Sequence, residues 1–222
     1  MIMTDYRGFR LSKINNAEFR HLKYLLFWPI YLASFAFLER VWVNRNFHPV
    51  HCALDDMIPF CEYFLIPYVL WFVELLLMQL YTLLYDTEEF KRFLRFLIIS
   101  FMGTIVIYMI YPTCQEMRIT EFPRDNFLTA VVKALYSFDT DTNVCPSLHV
   151  IGAVAVMISA WHAKGLDKAW IRIAAVIITV LISLSTVFLK QHSAVDVLMA
   201  IPVCMAAYYA AYGIHQKQSQ KL

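Results

Sequence analysis

Six stretches of this chain, roughly 22–43, 62–85, 92–111, 147–163, 169–190 and 192–213, each stay apolar over about the 20 residues a helix needs to cross a bilayer. Backbone groups inside hydrocarbon must bond within their own segment, so stretches of this kind fold as helices. The expectation is an all-α, polytopic integral-membrane protein: one domain over 1–222, built as a bundle of six transmembrane helices. A composition 60% hydrophobic and only 16% charged, with five glycines, agrees with that and is too apolar for a soluble domain. Outside the stretches, only the loops at 44–61 and 112–146 are long enough to carry structure of their own. The first stretch follows more than 20 mixed residues and lacks a small-residue cleavage pattern, so it reads as a retained span and not as a removable leader.

Lysine and arginine set the orientation. Arg7, Arg10, Lys13, Arg20 and Lys23 precede or open the first stretch; Lys91, Arg92, Lys164, Lys168 and Arg172 fall in the expected turns at 86–92 and 162–172; Lys217 and Lys221 follow the last stretch. With six alternating helices these share one side, which is expected to be cytoplasmic and to hold both termini. The membrane would be the plasma membrane in a bacterium and a secretory-pathway membrane otherwise. A net charge of +2 gives no reason to expect nucleic acid as a partner. Cys52 and Cys61 fall in the first outer loop, Cys114 and Cys145 flank the second, and Cys204 lies in the last stretch. A Cys114–Cys145 bridge could staple the second loop on an oxidising side, with free thiols as the alternative, and no CxxC pattern suggests a metal.

The six-helix layout brings four helix ends to the outer face. There the sequence reads YPTCQEMRITEFPR (111–124), CPSLH (145–149) and STVFLKQHSAVD (185–196). Polar groups of this kind are costly near hydrocarbon and usually mark a functional site. His192 and Asp196 are spaced to share one helix face, so Asp196 can accept the Nδ1 proton of His192 and leave Nε2 with a free lone pair. Pro146 suits a first helical turn, which would let Ser147 and the helix N-terminal amides meet an anion, with His149 in the same turn as a proton donor. Lys190, Arg118 and Arg124 are the cations available to hold a phosphate. The set fits phosphoryl transfer through a phosphohistidine. A catalytic zinc on His149, His192 and Asp196 is the rival chemistry, disfavoured because a dication would sit among like charges.

Each of these residues also has a plain reading. A lone interfacial histidine or aspartate is often a solvated helix end, Lys190 could merely snorkel, and Arg118 and Arg124 could face water or headgroups. Glu74, in mid-span with Gln79 below it, is equally well a functional carboxyl or a hydrogen-bonded core group. His48, His51, Asp55 and Asp56 could resemble a metal cluster, although the prolines among them suggest an interfacial turn with substrate contact possible. Trp28, Trp42, Trp71 and Tyr111 fit interfacial or core packing.

CPSLH and STVFLKQHSAVD resemble the second and third signature motifs of the type 2 phosphatidic acid phosphatase superfamily, the integral-membrane lipid phosphate phosphatases and phosphotransferases. The resemblance covers about 111–200. It implies His192 as nucleophile, Asp196 as its partner, His149 as acid for the leaving group and Ser147 as a phosphate ligand. Leu148 replaces the glycine usual in the phosphatase branch, Ser185-Thr186 replaces the usual Ser-Arg, and in the first motif Tyr111 takes the lysine's place while Ile119 follows Arg118. The leucine and the Lys190-Gln191-His192 run look more like the inositol phosphorylceramide synthase branch, with Lys190 and Arg118 left to supply the altered phosphate clamp. The expected activity is therefore metal-independent and cofactor-free hydrolysis of a lipid phosphate on the extracytoplasmic side. Transfer of the phosphoryl headgroup to an alcohol is the alternative, and a non-catalytic transporter or lipid-binding protein the opposing class.

Overall fold

The computed structural model describes residues 3–43 and 45–219, with side chains described through residue 213. Lys221 and the side chain of Lys217, counted above for orientation, lie outside the described residues. The protein is mostly helical: α1 (Phe27–Arg40, led in by 3-10 turns over Arg20–Leu26), α2 (Ala53–Met57), α3 (Leu65–Tyr85), α4 (Thr87–Ile110), α5 (Phe127–Phe138), α6 (Leu148–His162), α7 (Ala169–Phe188) and α8 (Ala194–Ser219). Among the described residues, five helical stretches are long and apolar enough to cross a membrane: Arg20–Arg40, Glu62–Tyr85, Thr87–Ile110, Ala169–Phe188 and Ala194–Gly213.

The fourth expected span is shorter than the sequence suggests. α6 has 15 residues, a rise of about 22 Å against a hydrocarbon core of about 30 Å. It begins only at Leu148, because Cys145-Pro146-Ser147 remains outside the helix, and it ends where Ala163 turns extended. α6 is also the centre of the bundle, packed on α3, α4, α7 and α8. The expected turn at 86–92 is reduced to a single residue. Asp86 ends α3 and caps α4, its carboxylate accepting the Glu89 amide at 3.2 Å, so Lys91 and Arg92 lie in the opening turns of α4.

Small residues let the helices approach. α6 buries Gly152, Ala153, Ala155, Ser159 and Ala160, and α8, which packs on α4, buries Ala200, Cys204, Ala207 and Ala211 at helical spacing. Large apolar side chains such as Ile66, Phe72 and Leu77 of α3 and Ile173, Ile177 and Val180 of α7 point outward. Small residues at helix contacts and bulky ones outside are the distribution a lipid solvent favours.

The two long loops meet at one end of the bundle. His48–Pro49 (β1) pairs in parallel with Thr113–Cys114 (β2). Glu39, at the end of α1, accepts hydrogen bonds from the Thr142 hydroxyl and the Asn143 amide, while Arg45 donates to the Tyr108 carbonyl at 2.7 Å and to Asn143 Oδ1 at 2.8 Å. The second loop also folds a helix of its own, α5, opened by an Asn126–Thr129 capping box. At the opposite end, Asp86 accepts the Lys164 amide at 3.0 Å and the Thr4 amide donates to the Leu84 carbonyl at 2.7 Å. The N-terminal segment, the α3–α4 junction and the α6–α7 turn therefore share that end.

Candidate active site

The segment before α6 is fixed entirely by long-range bonds. Thr113 Oγ1 accepts from the Val144 and Cys145 amides at 3.2 and 3.0 Å, and the Tyr108 hydroxyl donates to the Pro146 carbonyl at 2.6 Å. Pro146 consequently stands before the helix, not in its first turn. Ser147 takes the N-cap position, with extended backbone and no side-chain cap bond, and its amide donates to the Asp196 carbonyl at 3.1 Å. The Ser147 hydroxyl is fully buried and has no hydrogen-bond partner among the described residues. α6 thus presents an uncapped N-terminus, with its partial positive charge, beside an idle hydroxyl.

His192 faces this terminus from the turn between α7 and α8. Its Nδ1 lies 3.1 Å from Asp196 Oδ2, and the His149 and His192 ring centroids are 5.8 Å apart. The partnership expected from the sequence is therefore present, but not through shared helix geometry, since α8 starts only at Ala194. Ser193 and Asp196 form a reciprocal cap instead: Ser193 Oγ accepts the Val195 amide at 3.1 Å and Asp196 Oδ2 accepts the Ser193 amide at 3.0 Å. The cap brings the carboxylate back over the residue preceding it, where His192 lies. The spacing Ser-x-x-Asp was a legible signal for that turn.

His149 packs on Tyr68 and Trp71 of α3, with centroid distances of 4.4 and 4.5 Å, and its Nε2 is buried without a partner among the described residues. Cys145 stands close by. Burial first, and then the Asp196 carboxylate, push its thiol up to about 12. Cys114 and Cys145 are both free thiols, so the bridge considered for the second loop is not formed.

The three expected phosphate cations are engaged elsewhere. Lys190, in the left-handed region at φ 54°, donates through Nζ to the Asp55 and Ile58 carbonyls at 2.7 and 2.5 Å. Arg118 gives both Nη1 protons to the Tyr136 and Asp139 carbonyls, and its Nη2 to the Thr140 carbonyl and Gln191 Oε1, while Nε also donates to Gln191 Oε1. A guanidinium has five N–H donors, and all five of Arg118's are committed. Arg124 makes a two-pronged pair with the buried Glu62 at 2.6 and 2.9 Å, which ties the second long loop to the turn leading into α3.

What Arg118 does instead is orient Gln191. An all-donor guanidinium requires the amide oxygen on its side, which sends the Gln191 NH₂ the other way. That nitrogen is buried and without a partner among the described residues. Asp139 lies within the reach of both charges: burial pushes its carboxyl up, opposed by Arg118 and His192, and it accepts a long bond from the Tyr68 hydroxyl at 3.5 Å. Gln191, Ser193, Tyr68 and Trp71 were not singled out as site residues from sequence, because what they touch is remote in the chain.

Of the remaining candidates, His51 pairs with Asp56 at 2.8 Å and His48 stacks on Tyr111 at 4.2 Å. Among the described residues no group of three or more His, Cys, Asp or Glu side chains is arranged to hold a metal ion. Gln79 accepts from Trp28 Nε1 at 2.5 Å, and one Glu74 oxygen is buried without a partner among the described residues. Comparison of the chain with protein-family models, with curated proteins and with solved structures finds no match.

Proposed function

We propose that the protein is a six-span membrane enzyme that hydrolyses a lipid phosphate through a phosphohistidine on His192, as its resemblance to the type 2 phosphatidic acid phosphatases implies. The observation that carries this reading is the uncapped N-terminus of α6, with its idle Ser147 hydroxyl, opposite a histidine whose Nδ1 is held by a buried aspartate. Among the described residues Ser147 Oγ and Gln191 Nε2 are donors left without acceptors and the first turn of α6 has no side-chain cap, and a phosphoryl group is an acceptor on every free oxygen. Leaving such groups buried and unpaired costs about 1–3 kcal/mol each, which a bound anion would return.

The Nε2 lone pair of His192 attacks phosphorus as the P–O ester bond breaks, and His149 gives a proton to the departing oxygen. Water then attacks the phosphohistidine, His149 recovers the proton, and phosphate leaves with His192 restored. Asp196 stabilises the imidazolium character of His192 in both steps. α6 serves as the sixth span in this reading, its short length compensated by the helices around it. The basic residues at the end opposite the site support a reading in which that end and both termini are cytoplasmic and the chemistry lies at the outer headgroup level. A substrate dissolved in the membrane reaches it laterally.

Purified full-length protein in detergent, assayed for orthophosphate release from a panel of lipid phosphates with and without chelator, tests the proposal. Release that survives chelator and is abolished in His192→Ala is expected. No release from any substrate, or undiminished release in His192→Ala, refutes it.

A further inference from the structure

Asp55 lies in the five-residue helix of the first outer loop, 138 residues from Ser193, yet it is 1% exposed and is built into the turn that carries His192. Its Oδ1 accepts the Ala194 amide at 2.8 Å, the first N–H of α8. Its Oδ2 accepts the Ser193 hydroxyl at 2.6 Å and the Cys52 amide at 2.8 Å. The Lys190 ammonium holds the same helix by its Asp55 and Ile58 carbonyls, so the loop is latched from two sides onto the α7–α8 turn.

These contacts decide what Asp196 is free to do. Two carboxylates stand at one helix N-terminus, where each is drawn to unpaired amides. Asp55 takes the Ala194 amide and fixes the Ser193 hydroxyl proton, which turns the Ser193 lone pairs toward the Val195 amide at 3.1 Å. Asp196 Oδ2 is left with the Ser193 amide and His192 Nδ1. We propose that Asp55 is a positioning residue for His192: acting through Ser193 and Asp196, it holds the imidazole in the tautomer whose Nε2 is unprotonated. The inference rests on the proposed role of His192 as nucleophile.

Asp55→Asn keeps the shape but cannot accept three donors with one amide oxygen. Expected is a fall in kcat of about tenfold or more with KM within about twofold, because the lost element is orientation and not substrate binding. In an Asp196→Asn background the same change should cost less than about twofold, since the path to His192 is already cut. Asp56→Asn, next in sequence and paired among the described residues only with His51, is the control and should stay within about twofold of the parent. A second readout needs no turnover: side-chain ¹⁵N shifts of His192 report its tautomer, and Asp55→Asn should move them toward the mixed tautomers of a free imidazole. If Asp55→Asn does not fold, Ser193→Ala cuts the same link with Asp55 in place and should show both effects. If the parent protein turns over no lipid phosphate while the ¹⁵N shifts move, the functional reading fails and the positioning survives. Unchanged shifts, or a full loss added on top of Asp196→Asn, overturn the inference.

Discussion

Gly152→Ala tests whether the aromatic wall behind His149 is as tightly built as its contacts indicate. A Cβ at position 152 would lie 2.5 Å from Trp71 Nε1 and 2.9 Å from Cε2. Ordinary heavy-atom contacts fall near 3.5–4.0 Å, so the indole would have to retreat by about 1 Å. It has little room: Trp71 is 8% exposed, set edge-on to Phe72 at 4.8 Å and packed on His149 at 4.5 Å. Alanine gains roughly 0.8–1 kcal/mol of helix propensity over glycine, against roughly 1–3 kcal/mol for overpacking, so the net loss reaches about 2 kcal/mol. On the proposed mechanism the catalytic cost is the larger signal, because a misplacement of about 1 Å in a reacting group can lower the rate about 10²-fold. The assay pairs orthophosphate release with the thermal midpoint from tryptophan fluorescence. Gly103→Ala in α4 serves as control, since a Cβ there meets nothing within 4 Å. Trp71→Phe in the Gly152→Ala background removes the clashing part of the indole and should recover part of the midpoint. A Gly152→Ala protein as stable and as active as its parent would refute the wall as described.

Two further perturbations follow from the site. Burial acts to raise the Asp55 carboxyl, but its bonds from Ala194, Ser193 and Cys52 outweigh that and hold it below the ordinary 3.8. Its contribution to stability is then complete above that ordinary value and is lost as pH falls through the folded one. The gap in thermal midpoint between parent and Asp55→Asn should be constant from neutral pH to about 5 and close below about 4; a gap unchanged at about pH 3 would contradict the assignment. Arg118→Lys keeps the charge but offers three donors where five are used, so Gln191 loses its anchor and KM for the lipid phosphate should rise about tenfold. If Arg118 instead gripped phosphate by charge alone, lysine would substitute for it, and parental kinetics in Arg118→Lys would count against Gln191 as the donor.

The helices were legible because apolar length needs no knowledge of partners. Alternation of six stretches was also enough to put Ser147, His149, His192 and Asp196 at one end, and that is where they meet. Local geometry was read less well. The 192–196 pair looked like one face of a helix, whereas the helix starts at Ala194 and the contact comes from a Ser193–Asp196 cap. α5 was missed because a 12-residue helix within a long loop carries no length signal against the spans. The partners of the cations were not legible for a different reason: what Lys190 and Arg118 bind are mainly backbone carbonyls of distant loops, and a carbonyl has no letter in a sequence.

That commitment of the cations changes the chemistry asked of the site. A phosphate clamp of free guanidinium and ammonium groups would carry its positive charge whether or not substrate were present, at a desolvation cost in the empty enzyme. Here Lys190 and Arg118 spend their charge holding the first loop, the end of α5 and Gln191, so that on the proposed mechanism neutral donors are left to meet the phosphate. The helix terminus supplies only about half an elementary charge. On the proposed mechanism, the rest of the balance for an incoming phosphate has to come from a proton on one of the two imidazoles. The proton that helps bind the phosphate is then the proton later given to the leaving oxygen, so that substrate binding and acid catalysis draw on one ionisation, which neither His149 nor His192 alone could reveal.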